Sequence, residues 1–230
     1  WLGKGVDGFR LDAISFIAKT PGLPDNPGSE RYIFDRRHMM NGPALHEHLR
    51  ELNAQALARY DIVTVGECTR LTIQDAIDLS HPARGELDMP FLFEHIDAAY
   101  RFGKDARRLK EILARWQVGM HGQGWLGVTF NNHDGSRVVS LFGNDTRLRE
   151  ASARLFATLL LTLEGTPVLY QGEELGMVNT TYETLEEYDD VAALNYYRQK
   201  VEEGADPKEV FEVVKVMSRD RARSPYQWSG

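Results

Sequence analysis

Five short apolar stretches, each running out into polar or charged residues, constrain this chain more than any other feature. They are GVDGFRL at 5–11, DIVTVGE at 61–67, ELDMPFLFEH at 86–95, WLGVTFNNHD at 125–134 and TPVLYQGEE at 166–174. Between them the pattern turns helical. Leu45, Leu49, Leu52 and Ala56 recur at helical spacing, LKEILARW at 109–116 reads as a helix, and REASARLFATLLLTLEG at 149–165 is an apolar helix with Gly165 at its C-cap. A further helix is expected at 191–203, followed by a polar tail to Gly230. Residues 20–43 form an irregular stretch rich in Pro, Gly and Asn, of a length usually reserved for functional loops.

Nearly continuous Val, Ile and Leu runs separated by helices predict a parallel sheet covered by helices. Two shapes satisfy that pattern, an open doubly wound sheet and a (β/α)8 barrel. An open nucleotide-binding sheet calls for a glycine-rich turn after an early strand, and the chain carries neither G-x-G-x-x-G nor a P-loop. Instead Asp12, Glu67, His133 with Asp134, and Gln171 with Glu173 end successive strands. Functional groups at the C-terminal ends of several strands are the mark of a barrel. The predicted fold is therefore α/β: a partial TIM (β/α)8 barrel made of its C-terminal five strand–helix units.

Charge and composition narrow the partners. A formal net charge of −7 argues against a polyanion such as nucleic acid, which selects clustered Lys and Arg. The longest apolar run, 155–163, falls short of the roughly 18 residues of a membrane span and reads as a buried helix. A single cysteine, Cys68, excludes an internal disulfide framework and fits a reducing compartment, so a cytoplasmic location is expected. Cys68 reads as core packing. His38, His46, His48, His81, His95 and His121 lack metal-ligand spacing, read as surface or loop residues, and predict no metal site.

The stretch GVDGFRLDAI poses a question of its own. Arg10 and Asp12 are two apart, so on a strand both point to one face. Alone, such a pair is more often a structural ion pair than a catalytic one. Asp12 and Glu67, however, end consecutive strands, and neighbouring strands can bring two carboxyls to about 5 Å, the spacing of a retaining glycosidase. In that chemistry one carboxylate attacks and one carboxylic acid protonates the leaving oxygen. A cation beside Asp12 would favour its charged, nucleophilic form.

GFRLDAI, VGECT, FNNHD and GTPVLYQGEELGM occur in the order of four signature segments of the α-amylase family of glycoside hydrolases, and resemble its fourth, fifth, seventh and eighth barrel strands. SRDRARSPYQW at 218–228 and DDVAALNYYRQKVEEG resemble the oligo-1,6-glucosidase and α-glucosidase branch. The resemblance implies that 1–230 is the C-terminal part of the catalytic barrel, without the N-terminal barrel half and the C-terminal β-domain. It implies Asp12 as nucleophile, Glu67 as acid/base and Asp134 as the third carboxylate, with Arg10, His133 and Arg137 binding substrate. The substrate would be a short oligosaccharide, and no cofactor is implied, any calcium site falling on the N-terminal part. Sucrose isomerase, trehalose synthase and trehalose-6-phosphate hydrolase share the trio, whereas non-catalytic binding relatives typically lose its carboxylates. Two positions stand out. Where the glucosidases usually have Gln-Pro-Arg after His-Asp, this chain has Gly135, Ser136 and Arg137. Ala13 follows the nucleophile where members specialised for α-1,6 bonds tend to carry Val, which points to good use of α-1,4 substrates.

Overall fold

A computed structural model describes residues 1–22, 24, 25 and 38–228, so most of the irregular stretch predicted at 20–43 lies outside the described residues. Among the described residues five strands form one parallel sheet in sequence order: β1 (Gly8–Leu11), β2 (Val63–Gly66), β3 (Met89–Leu92), β4 (Gly127–Val128) and β5 (Thr166–Pro167). Among the described residues eight α-helices lie between and after them: α1 (Leu45–Gln55), α2 (Ile73–Ser80), α3 (Glu94–Phe102), α4 (Ala106–Met120), α5 (Val138–Phe142), α6 (Arg149–Thr162), α7 (Val191–Glu202) and α8 (Pro207–Met217). A parallel pair needs a long crossover, which the helices supply. The arrangement is that of five consecutive strand–helix units of a (β/α)8 barrel, as the strand pattern predicts.

Contacts divide the chain into two compact units. One comprises 1–98, 107–128 and 163–167 and contains the whole sheet; the other comprises 99–106, 129–162 and 168–230. In the first, β1 and β2 pair from Gly8 opposite Val63 to Leu11 opposite Gly66. Any Cβ at Gly8 would run into the Val63 backbone, so the close pairing requires glycine there. β2 is tied to β3 by Asp88, whose Oδ2 accepts from both the amide and the hydroxyl of Thr64, each at 2.7 Å. Ile14, Ala18, Leu45, Leu49, Cys68, Leu79 and Leu87 form a core cluster beneath. In the second unit Tyr188, Ala193 and Val214 join α7 to α8.

Several elements differ from the sequence expectation. The strands are shorter, because their polar ends leave the ladder: β3 stops at Leu92 and Glu94 opens α3, where an acidic residue favours a helix N-terminus. The "polar tail" contains α8, started by Asp206 as N-cap and Pro207 in the first turn, with Val210 and Val214 buried. Nor is the 155–163 run buried throughout. Only Phe156 and Leu160 of α6 are, while Leu155 and Leu161 are each 61% exposed. Apolar residues surround this helix, but a helix packed on one side covers only part of its circumference. His95 is buried at 1% exposure rather than on the surface. His46 is half-buried against Glu86, whose side chain is fully enclosed and also meets Arg50 and Arg84. A buried carboxylate needs such compensation, and His46 helps to supply it.

Candidate active site

In the first unit, Asp12 and Glu67 each follow the last residue of their strands, β1 and β2. The register pairs Leu11 with Gly66, and the Glu67 amide donates to the Leu11 carbonyl at 3.0 Å, so the two acidic residues leave the sheet side by side. The Ile14 amide donates back to the Glu67 carbonyl at 3.1 Å. Arg10 lies on the same face of β1 as Asp12. Its Nη1 donates to Asp12 Oδ1 and its Nη2 to Glu67 Oε2, so one guanidinium holds both carboxylates. The sequence predicts a cation serving Asp12; the register brings Glu67 within its reach as well. Ala13, directly after Asp12, turns through the left-handed region at φ 44° and points its amide at Glu67 Oε2, 3.4 Å away. Asp12 is open to solvent while Glu67 is sheltered, with side-chain exposures of 77% and 18%. Cys68 packs in the core; burial, then the Glu67 charge, push its thiol up to about 12, leaving it neutral and unreactive.

The second unit holds the other predicted residues. Asp134 sits in a turn whose amide donates to Asn132 Oδ1 at 2.9 Å. Its Oδ1 accepts from Arg223 Nη2 at 2.9 Å and from Arg219 Nη1 at 3.4 Å, and His133 Nε2 lies 3.4 Å from its Oδ2. Arg223 also donates through Nε to the His133 carbonyl at 2.7 Å. Arg219 is itself gripped by buried Asp190, which accepts from its backbone amide, Nε and Nη2 at 2.8, 3.1 and 2.8 Å. That grip holds the Asp190 carboxyl down at about 2. Arg137 is 1% exposed, and its guanidinium donates to the carbonyls of Gln171 and Ala222 at 2.8 and 2.9 Å. The sequence reading gives Arg137 a substrate contact; the structure instead encloses it and engages it with main chain, a positioning geometry.

A comparison with known families matches residues 1–230 to the one described as alpha amylase, catalytic domain. The chain belongs to the α-amylase family. Within it, an oligo-1,6-glucosidase of Parageobacillus thermoglucosidasius is 45% identical over 238 residues, taking in 99% of this chain and 42% of that protein. Trehalose-6-phosphate hydrolase of Bacillus licheniformis superposes with a TM-score of 0.87 at 42% identity, covering 99% of this chain and 42% of that one. Isomaltulose synthase of Erwinia rhapontici NX5, solved with its substrate sucrose, gives 0.86 at 32% identity over 100% of this chain and 42% of that one. This α-amylase-family chain therefore spans less than half the length of the relatives it matches.

Sequence reasoning missed the groups that hold Asp134. Arg219 and Arg223 lie inside SRDRARSPYQW, a segment visible as a motif but with no role assigned to its members. Asp190 lies in an acidic run that reads as a solvated face. Among the described residues, no group of three His, Cys, Asp or Glu is placed to hold a metal, and no helix is long and apolar enough to cross a membrane.

Proposed function

We propose that the protein carrying this chain is a retaining α-glucosidase acting on α-glucosidic bonds of short oligosaccharides of the maltose and isomaltose type. The observation that supports this most is the single Arg10 guanidinium spanning Asp12 and Glu67 at the ends of adjacent in-register strands. In this reading Asp12 attacks the anomeric carbon while Glu67 gives its proton to the departing glycosidic oxygen. The sugar then rests as an ester on Asp12. Glu67, now a base, takes a proton from water, whose oxygen displaces Asp12, and two inversions restore the starting configuration. Two carboxyls and a water complete the cycle, so no cofactor is needed. Asp134 enters on its FNNHD motif as the carboxylate that binds ring hydroxyls and favours the flattened, positively charged ring, with His133 beside it. Arg10 orients the pair, and Arg137 supports the Asp134 loop from behind. A single free cysteine and no disulfide suit a cytoplasmic enzyme.

The similarity to a trehalose-6-phosphate hydrolase and an isomaltulose synthase favours a second reading with the same first half-reaction and a different acceptor or leaving group. Product analysis on maltose, sucrose and trehalose 6-phosphate separates them. The shared chemistry is tested in the full-length polypeptide with p-nitrophenyl α-D-glucoside. Asp12→Ala and Glu67→Ala should each lower turnover about 10²- to 10⁴-fold. With added azide, Glu67→Ala should yield the α-glucosyl azide and Asp12→Ala the β-anomer, because the first route inverts twice and the second once. Parental turnover in either variant defeats the assignment.

A further inference from the structure

The loop that carries Asp134 departs from the family pattern at Gly135 and Ser136, and the structure gives that departure a partner, Tyr100 at the end of α3. The Ser136 amide donates to Tyr100 Oη, which also accepts from Arg221 Nη2 at 3.4 Å. A Cβ at position 135 would stand 3.0 Å from that same oxygen, closer than side chains normally approach. A Gln-Pro pair would therefore crowd the hydroxyl at 135 and remove its donor at 136, since proline has no N–H. Glycine makes room for the hydroxyl, and serine supplies the hydrogen bond.

The rest of the loop is tied down from the other side. Ser136 is buried, and its hydroxyl accepts from Asn179 Nδ2 at 3.1 Å, while Asn179 Oδ1 accepts from the Arg137 amide at 2.8 Å. The Arg221 guanidinium lies over the Tyr100 ring, 5.8 Å from its centre. Arg221 stands between Arg219 and Arg223, the two cations on Asp134. Tyr100 thus links the turn that aims Asp134 to the segment that neutralises it. We propose that Tyr100 is a positioning residue for Asp134, and that Gly135, Ser136 and Tyr100 together replace a proline-stiffened loop with a hydrogen-bonded one. The inference rests on Asp134 being the ring-binding carboxylate.

The test uses the full-length polypeptide and p-nitrophenyl α-D-glucoside, with Tyr100→Phe, Gly135→Ala, the double variant and Asp134→Asn. Contacts made in the transition state act on kcat more than on KM. Tyr100→Phe should lower kcat about two- to ten-fold, the size of one neutral hydrogen bond, at near-parental KM and Tm. Gly135→Ala should lower kcat when Tyr100 is present and cost nothing further in the double variant, where the crowded oxygen is gone. An inactive Asp134→Asn beside an unchanged Tyr100→Phe overturns this proposal alone. So does a drop in Tm with kcat intact, or a double variant in which the two losses multiply. Parental turnover in Asp134→Asn removes the reading of Asp134, and this inference with it.

Discussion

Arg10 decides how the two carboxylates behave as a pair. Two carboxyl groups leave adjacent strand ends side by side, and a guanidinium with two Nη groups spans them in a way a lysine ammonium cannot. The backbone immediately after Asp12 is equally constrained. Ala13 occupies the left-handed region, where a β-branched side chain is costlier than alanine. Ala13→Val in the full-length polypeptide is therefore expected to cost about 1 kcal/mol of stability, read as a lower Tm. If Ala13 also shapes the leaving-group side, as the resemblance implies, the same change moves the kcat/KM ratio for maltose over isomaltose toward isomaltose. A lowered Tm with an unchanged ratio would make Ala13 a backbone residue and nothing more.

At the level of elements, the ends of β1 and β2 deliver Asp12 and Glu67, and the segment after β5 holds Asp134. The Asp190 carboxylate caps the α7 N-terminus, accepting from the Ala192 amide at 3.1 Å, while it clamps Arg219. One residue thus starts a helix and fixes a cation on Asp134. Its carboxyl is held at about 2, below the ordinary 3.8, mainly by the bonds from Arg219. A depressed carboxyl stabilises the fold fully above its unfolded value and loses that contribution as pH falls through the folded one. About 2 kcal/mol should therefore disappear between pH 4 and pH 2. Chemical denaturation across that range should show the slope in the parent and a flattened one in Asp190→Asn; equal slopes would mean the clamp contributes no pH dependence. Helices α2 and α8 show how far local signals reach. Thr72 and Asp75 form a capping box, and Asp206 with Pro207 starts α8, so the starts of both helices are written in the chain.

For the whole molecule, exposed apolar surface is the feature with consequences. Leu155, Leu161, Leu169 and Leu175 are all more than 40% exposed, and among the described residues β1 and β5 each have one strand neighbour. Apolar patches and unpaired strand edges both favour association. The 230-residue polypeptide by itself is expected to bind a hydrophobic dye such as ANS, to unfold without a single cooperative transition, and to leave p-nitrophenyl α-D-glucoside intact. Turnover that disappears in Asp12→Asn would contradict this. The amino-acid sequence by itself determined the strand–helix alternation, the parallel sheet and the acids at the strand ends, because side-chain period and strand termination are local properties of the chain. It also carried the motifs that mark the family. What only the tertiary structure decided are the pairings between distant segments: Arg10 with Glu67 57 positions away, Arg223 with Asp134 89 away, and Tyr100 with Ser136 36 away. Enclosure of Arg137 and His95, and the exposure of half of α6, belong with them. A charged or apolar side chain has the same sequence signal whether it meets solvent, substrate or protein, and only packing chooses among the three.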